Sequence, residues 1–175
     1  MNYTSGPIRK AIKTVVYGTE GIGKSTFAAQ FPDPVFIDTE GSTASMNVKR
    51  TTTPANFSEI ISQVQYIARH PGEAKTLVID TIDWAERMAV KSICDAKKLT
   101  GLEDMSYGKG YVYVYEDMGR LLNALNECID NGVNVIVSKT ENGLTDSDVA
   151  KIRDIVISEA SVTADAIKIM ENEAD

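Results

Sequence analysis

Nine residues near the start of the chain, Gly18-Thr19-Glu20-Gly21-Ile22-Gly23-Lys24-Ser25-Thr26, satisfy the spacing G-x-x-x-x-G-K-[ST] in full. A short apolar, β-branched run at 14–17 precedes them, and a helical-looking stretch at 25–30 follows. Strand, loop and helix in that order commit the start of the chain to an α/β unit with a phosphate cradle at the turn. The glycines let successive backbone N–H groups converge on phosphate oxygens, and a helix N-terminus adds its partial positive charge. Residues Gly18 to Thr26 are therefore candidate nucleotide-binding residues, with Glu20 facing solvent. Lys24 is placed to neutralise β- and γ-phosphates and to assist catalysis, and the Ser25 hydroxyl to ligate Mg²⁺. A glycine-rich turn without a ligand would not need Lys and Ser at this fixed spacing.

The remaining pattern alternates strands with helices. Residues 34–38, Pro-Val-Phe-Ile-Asp, read as a second strand between Asp33 and Gly41. Asn56 with Glu59 forms a capping-box-like start, after which Phe57, Ile60, Ile61, Val64 and Ile67 fall on one helical face until His70-Pro71-Gly72. The run 76–80, Thr-Leu-Val-Ile-Asp, reads as a central strand buried on both faces. Asp83 with Glu86 opens a third helix, residues 100–110 read as a loop, and Met118, Leu121, Leu122, Leu125 and Ile129 mark a fourth helix. Residues 133–137 form a fourth strand. The fold class predicted is a doubly wound, mainly parallel α/β sheet of the P-loop NTPase type. It divides into a nucleotide-binding core over 1–140 and an acidic helical tail over 141–175.

Composition narrows the function classes. A 175-residue chain has room for one α/β domain and a small appendage. No apolar run approaches the ~18 residues of a membrane span, and the start lacks a signal-peptide pattern, so no membrane partner and a cytoplasmic location are expected. Cys94 and Cys128 lack metal-ligand spacing and read as buried free thiols. His70, the only histidine, reads as a helix-end residue. The net charge of −7 argues against a surface built for tight, nonspecific binding to phosphate backbones, though not against a local basic channel. The clusters Arg9-Lys10-Lys13, Lys49-Arg50 and Lys97-Lys98 read as solvated surface.

Two acids stand where phosphate chemistry needs them. Asp80 ends a buried apolar strand, and a carboxylate there is costly unless it is paired or near a cation. Mg²⁺ shared with Ser25 supplies that compensation. Glu40, just past the second strand, is the candidate base that orients water opposite a γ-phosphate, with Asp83 as competitor. ATP is the expected nucleotide, since no Asn-Lys-x-Asp guanine-reading motif occurs.

Three stretches in order, residues 15–26, 35–41 and 77–83, together with Ser106-Tyr107-Gly108-Lys109-Gly110-Tyr111, resemble the RecA-like phage nucleotide-binding proteins over about residues 10–140. Members of that group act in single-strand annealing and recombination. The resemblance implies a RecA-like ATPase with ATP and Mg²⁺ as cofactors. It also implies single-stranded DNA or other phage recombination proteins as partners, assembly into a ring or filament, and a phage-infected bacterial host. It favours Glu40 over Asp83 as the acid that activates water, and puts a γ-phosphate sensor at Ser138, where such proteins often have His. It also implies the strand order 1-4-3-2. Further strands are expected after the fourth, yet the chain passes to its acidic tail, as in a shortened member. The phosphate-loop strand then lies at an edge, to be covered by the N-terminal segment, the tail or another subunit. Lys109 reads as a surface-loop residue, with contact to DNA or a neighbouring subunit's nucleotide as the functional alternative. Two other readings share the same loop. One is a nucleotide-binding interaction module with little hydrolysis. The other is a small-molecule kinase, for which no arginine-rich lid is evident.

Overall fold

The computed structural model describes residues 5, 6 and 10–141. In chain order these form β1 (Lys13–Gly18), α1 (Lys24–Ala28), β2 (Pro34–Asp38), β3 (Lys49–Arg50), α2 (Phe57–Arg69), β4 (Thr76–Asp80), α3 (Ile82–Lys97), α4 (Lys109–Asp130) and β5 (Asn134–Thr140). Every pairing is parallel and the order is β1-β5-β4-β2-β3. The four strands read from the sequence thus take the expected order, with one short strand added outside β2. That addition corrects the reading of Lys49 and Arg50 as surface residues only. Both are exposed, yet their backbone pairs with Val35 and Phe36.

Period-two alternation assigns each strand residue to a face. Val35, Ile37, Leu77, Ile79, Val135 and Val137 join the larger core, together with α2, α3 and α4. Phe36, Val78 and Ile136 face the other way and pack with Ala28 of α1. Each fully buried Val, Leu or Ile contributes roughly 1.5–3 kcal/mol of transfer free energy. The sheet is doubly wound but unequal, because α1 has only five residues.

The helix starts follow local chemistry. Asn56 Oδ1 accepts from the Glu59 N–H at 3.0 Å, while the Glu59 carboxylate accepts from the Ala55 N–H at 2.8 Å. The capping box is therefore half as expected: its return bond reaches one residue further back. His70 ends α2, stacked on Tyr66 at 4.2 Å and bonded through Nδ1 to the Tyr66 carbonyl. The segment 100–110 is more ordered than a simple loop. Two short 3-10 turns, Leu102–Asp104 and Ser106–Gly108, lead directly into α4 at Lys109. Gly110 seats this segment, since a Cβ there would lie 2.9 Å from the Leu102 carbonyl oxygen. Leu102 in turn packs with Ile93, Cys94 and Val114.

Cys94 and Cys128 are both buried free thiols. Burial, reinforced by the charge of Glu127, pushes the Cys128 thiol up to about 11. The fold thus favours the neutral thiol. Its contribution to stability is complete below the ordinary thiol range, ~8.5, and is lost as pH rises toward about 11. We expect thiol reagents at pH 8 to label the native protein slowly and Cys128 last, with both sites reacting at once in denaturant. Rapid labelling of Cys128 in the folded protein would contradict this packing.

Among the described residues β1 pairs only with β5, so the phosphate-loop strand is an edge, as expected. Val15 is exposed on it. The segments expected to cover that edge lie outside the described residues, apart from residues 5, 6 and 10–12, and so does the expectation of a helical tail, beyond residue 141. No helix among the described residues is long and apolar enough to cross a membrane.

Candidate functional site

The loop between β1 and α1 is shaped by two glycines in the left-handed region, Gly21 (φ 77°) and Gly23 (φ 101°). A side chain at either position would be strained, and without one the backbone amides turn toward a common centre. α1 has five residues, one fewer than the stretch read at 25–30. Lys24 is almost buried, and its ammonium donates to the carbonyls of Gly18 and Thr19, both at 2.9 Å. Two of its three protons thus brace the loop around the place where a phosphate sits. Glu20 and Thr26 are exposed on the rim, as expected for Glu20.

Asp80 ends β4 on the same sheet face as Val78, directly above the α1 packing. It is 1 % exposed, and its neighbours are hydroxyls. Ser25 Oγ donates to Oδ2 at 2.5 Å, Ser138 Oγ to Oδ1 at 2.5 Å, and Ser42 Oγ lies 3.5 Å from Oδ2. Among the described residues no Lys, Arg or His pairs with it. A buried carboxylate held only by neutral hydroxyls is an incomplete arrangement, and a hard cation completes it. Ser25 and Asp80 fit Mg²⁺, which takes one or two protein oxygens and draws its other ligands from phosphates and water. No cluster of three or more His, Cys, Asp or Glu residues suited to a metal occurs among the described residues, so no all-protein cage competes with this reading.

The hydroxyl of Ser138, the position the resemblance offers as γ-phosphate sensor, bonds to the Asp80 carboxylate at 2.5 Å and to the Ile79 carbonyl at 3.2 Å. Asp83 was expected to cap α3. The capping position is Thr81, and the Asp83 carboxylate binds the tip of β5, accepting from Lys139 Nζ at 2.6 Å and the Thr140 N–H at 2.7 Å. Burial pushes its carboxyl up, but the Lys139 ammonium and the Thr140 amide outweigh this and leave it below the usual range. An acid engaged in this way is a poor proton acceptor.

Glu40 lies in the turn after β2 and reaches solvent. Partial burial, then the negative charges of Asp80 and Asp38, raise its carboxyl above the usual range, against a hydrogen bond from Trp84. Thr39 fixes the root of this turn: its N–H donates to the Asp80 carbonyl at 2.8 Å, and its hydroxyl accepts from the Thr81 N–H at 2.8 Å. Trp84 itself carries the Arg87 guanidinium 4.9 Å from its ring. The Asp80–Thr81 peptide is cis.

A cleft of about 380 Å³ opens where these groups meet. Glu20, Gly21, Gly23, Lys24, Ser25 and Thr26 of the loop and α1 line it together with Asp80, Thr81 and Thr140 at the strand ends and Glu40, Ser42, Ser45 and Met46 of the turn after β2. A wider groove of about 600 Å³ along α3 contains none of the loop residues and lacks the convergence of polar groups that a phosphate needs. Sequence reasoning did not identify Ser42, Ser45, Met46 and Thr140. The polar run Glu40-Gly41-Ser42 was the only hint, and nothing in it signals a fold back toward β4.

No curated protein matches the sequence significantly. Among solved structures, a KaiC-like protein from the hyperthermophilic archaeon Pyrococcus horikoshii OT3 aligns over 82% of this chain and 68% of its own, at 19% identity and a TM-score of 0.46. An ATP synthase subunit from Nanoarcheaum equitans aligns over 81% of this chain and 42% of its own, at 13% identity and a TM-score of 0.47. The AAA domain family matches residues 10–174. With its phosphate loop, five-stranded parallel sheet and near-complete family match, the chain belongs to the AAA domain family and is an ATP-binding, P-loop ATPase-like domain.

Proposed function

We propose that this domain is a Mg²⁺-dependent ATPase of the RecA-like phage class, which couples its nucleotide state to recombination or annealing on single-stranded DNA. The observation that carries the ATPase reading is the convergence of Lys24, the Ser25–Asp80 pair and Glu40 on one cleft at the strand tips. Ser25 and Asp80 would hold Mg²⁺, which when bound offsets phosphate charge. The loop amides and Lys24 bind the phosphates. Glu40, in the turn after β2, orients a water molecule and takes its proton. The water oxygen bonds to the γ-phosphorus, and the bond to the β–γ bridging oxygen breaks, leaving its electron pair on ADP. A carboxyl raised above the usual range is a better proton acceptor than an ordinary glutamate.

The DNA half of the proposal rests on the order of the sequence motifs, which resembles phage recombination proteins working in an infected host cell. Assembly into a ring or filament, with nucleotide near a subunit boundary, follows from the same resemblance. Glu20, Gly21, Gly23, Lys24, Ser25, Thr26, Glu40 and Asp80 line the cleft at the strand tips, in keeping with the proposed roles, whereas Gly18, Thr19 and Ile22 do not. The test is steady-state ATPase activity at several Mg²⁺ concentrations, with and without single-stranded DNA. Mg²⁺-dependent turnover stimulated by single-stranded DNA is the expected result. Tight ATP binding with negligible turnover in both conditions would instead establish a nucleotide-binding interaction module.

A further inference from the structure

Glu40 stands in an irregular turn that is largely exposed, yet a base must be held within a fraction of an ångström of its water. The turn is organised around one buried side chain. Asp38, the last residue of β2, is 4 % exposed. Its Oδ1 accepts from the N–H groups of Glu40 at 3.2 Å and Gly41 at 2.7 Å. Its Oδ2 accepts from the Thr43 N–H at 3.0 Å and the Thr43 hydroxyl at 2.5 Å. Gly41, at φ 83°, lets the backbone curl around the carboxylate. Arg50 of β3 grips the far end of the turn, its Nη2 lying 2.7 Å from the carbonyls of both Thr43 and Met46.

We propose that Asp38 is a positioning residue: its carboxylate folds the 39–46 turn so that Glu40 faces the phosphate cleft. This rests on the reading of Glu40 as the base. All four partners of Asp38 are donors, so an amide of the same size would set an NH₂ group against at least one of them. Charge-assisted bonds of this kind are about twice as strong as neutral ones. Burial pushes the Asp38 carboxyl up, and the Thr43 hydroxyl and the three amides more than reverse this, so it lies below the usual range and the donors face a carboxylate. The hydrogen bonds of the Asp38 carboxylate go to Glu40, Gly41 and Thr43 of its own turn. Its influence on chemistry therefore runs through Glu40.

The experiment compares Asp38→Asn, Thr43→Val, Thr43→Ser, Glu40→Gln and the double variant Asp38→Asn/Glu40→Gln. Each is measured for kcat and for the affinity of a fluorescent ATP analogue. A displacement of about 1 Å costs on the order of 10²-fold, so Asp38→Asn should lower kcat by ~10–100-fold with nucleotide affinity kept within about threefold. In the Glu40→Gln background the same change should slow turnover by less than about twofold, because the group it positions is already gone. Thr43→Val should reproduce a smaller kcat loss and Thr43→Ser should restore the wild-type rate. That pair decides the matter if Asp38→Asn fails to fold. A wild-type kcat in Asp38→Asn or Thr43→Val, or an Asp38→Asn loss that multiplies in full on Glu40→Gln, overturns the positioning role alone. A wild-type rate in Glu40→Gln, or no hydrolysis by the wild-type protein, overturns the reading of Glu40 and this proposal with it.

Discussion

Replacing Glu40 with Gln is expected to slow ATP hydrolysis by roughly 10²–10⁴-fold, the usual range for loss of a positioned general base, and to leave ATP binding intact. The substitution keeps size and hydrogen-bonding reach and removes only the ability to take a proton. The loop amides, Lys24, and the Ser25–Asp80 pair at 2.5 Å belong to other segments lining the cleft and are unchanged. Asp80→Asn should behave differently. It replaces the one carboxylate held solely by hydroxyls, so Mg²⁺-dependent binding and turnover should fall together. Isothermal titration with Mg–ATP beside single-turnover hydrolysis separates the two acids. Should Glu40→Gln turn over as fast as wild type, Glu40 is a loop acid, and Asp83, engaged by Lys139 and Thr140, is ill placed to succeed it.

The second large effect is on affinity. Lys24→Ala should weaken Mg–ATP binding at least tenfold, about 1.4 kcal/mol, or abolish it. Among the described residues the ammonium is the only cationic side chain lining the cleft, and it also braces the carbonyls of Gly18 and Thr19. Its loss removes a charge-assisted phosphate contact and loosens the loop that presents the amides. Calorimetry on the variant, with circular dichroism to verify folding, measures this directly. Undiminished affinity in a folded Lys24→Ala protein would rule out the pocket.

What could be read from the chain, and what could not, divides along physical lines. β2 and β4 were legible to the residue because buried parallel strands are continuous apolar runs with sharp ends. β3 was not: two exposed basic residues carry no hydrophobic signal, and only backbone pairing makes them a strand. The start of α4 was misplaced because Gly108 and Gly110 look like loop punctuation, whereas Gly110 is required by close approach to Leu102. The acids show the limit most clearly. β2 and β4 both end in Ile-Asp and are both followed by Thr, and Asp38 and Asp80 are register partners on one face of the sheet. The shared tripeptide by itself does not separate a carboxylate facing the phosphate loop from one gathering its own turn. The difference comes from what the following chain does: after Asp38 it curls back through Gly41, and after Asp80 it enters α3.

Trp84 has a consequence of a different kind. It is the chain's only tryptophan, and it stands in the first turn of α3, hydrogen-bonded to Glu40 and stacked with Arg87. Every photon of indole emission from this chain therefore originates beside the cleft wall that carries Glu40. Carboxylates and guanidinium groups near an indole alter its emission, so the chain carries its own optical readout of that wall. Nucleotide arrival should therefore change the emission of unlabelled protein, and titration of Mg–ATP into the protein while recording indole fluorescence checks this without reference to product formation.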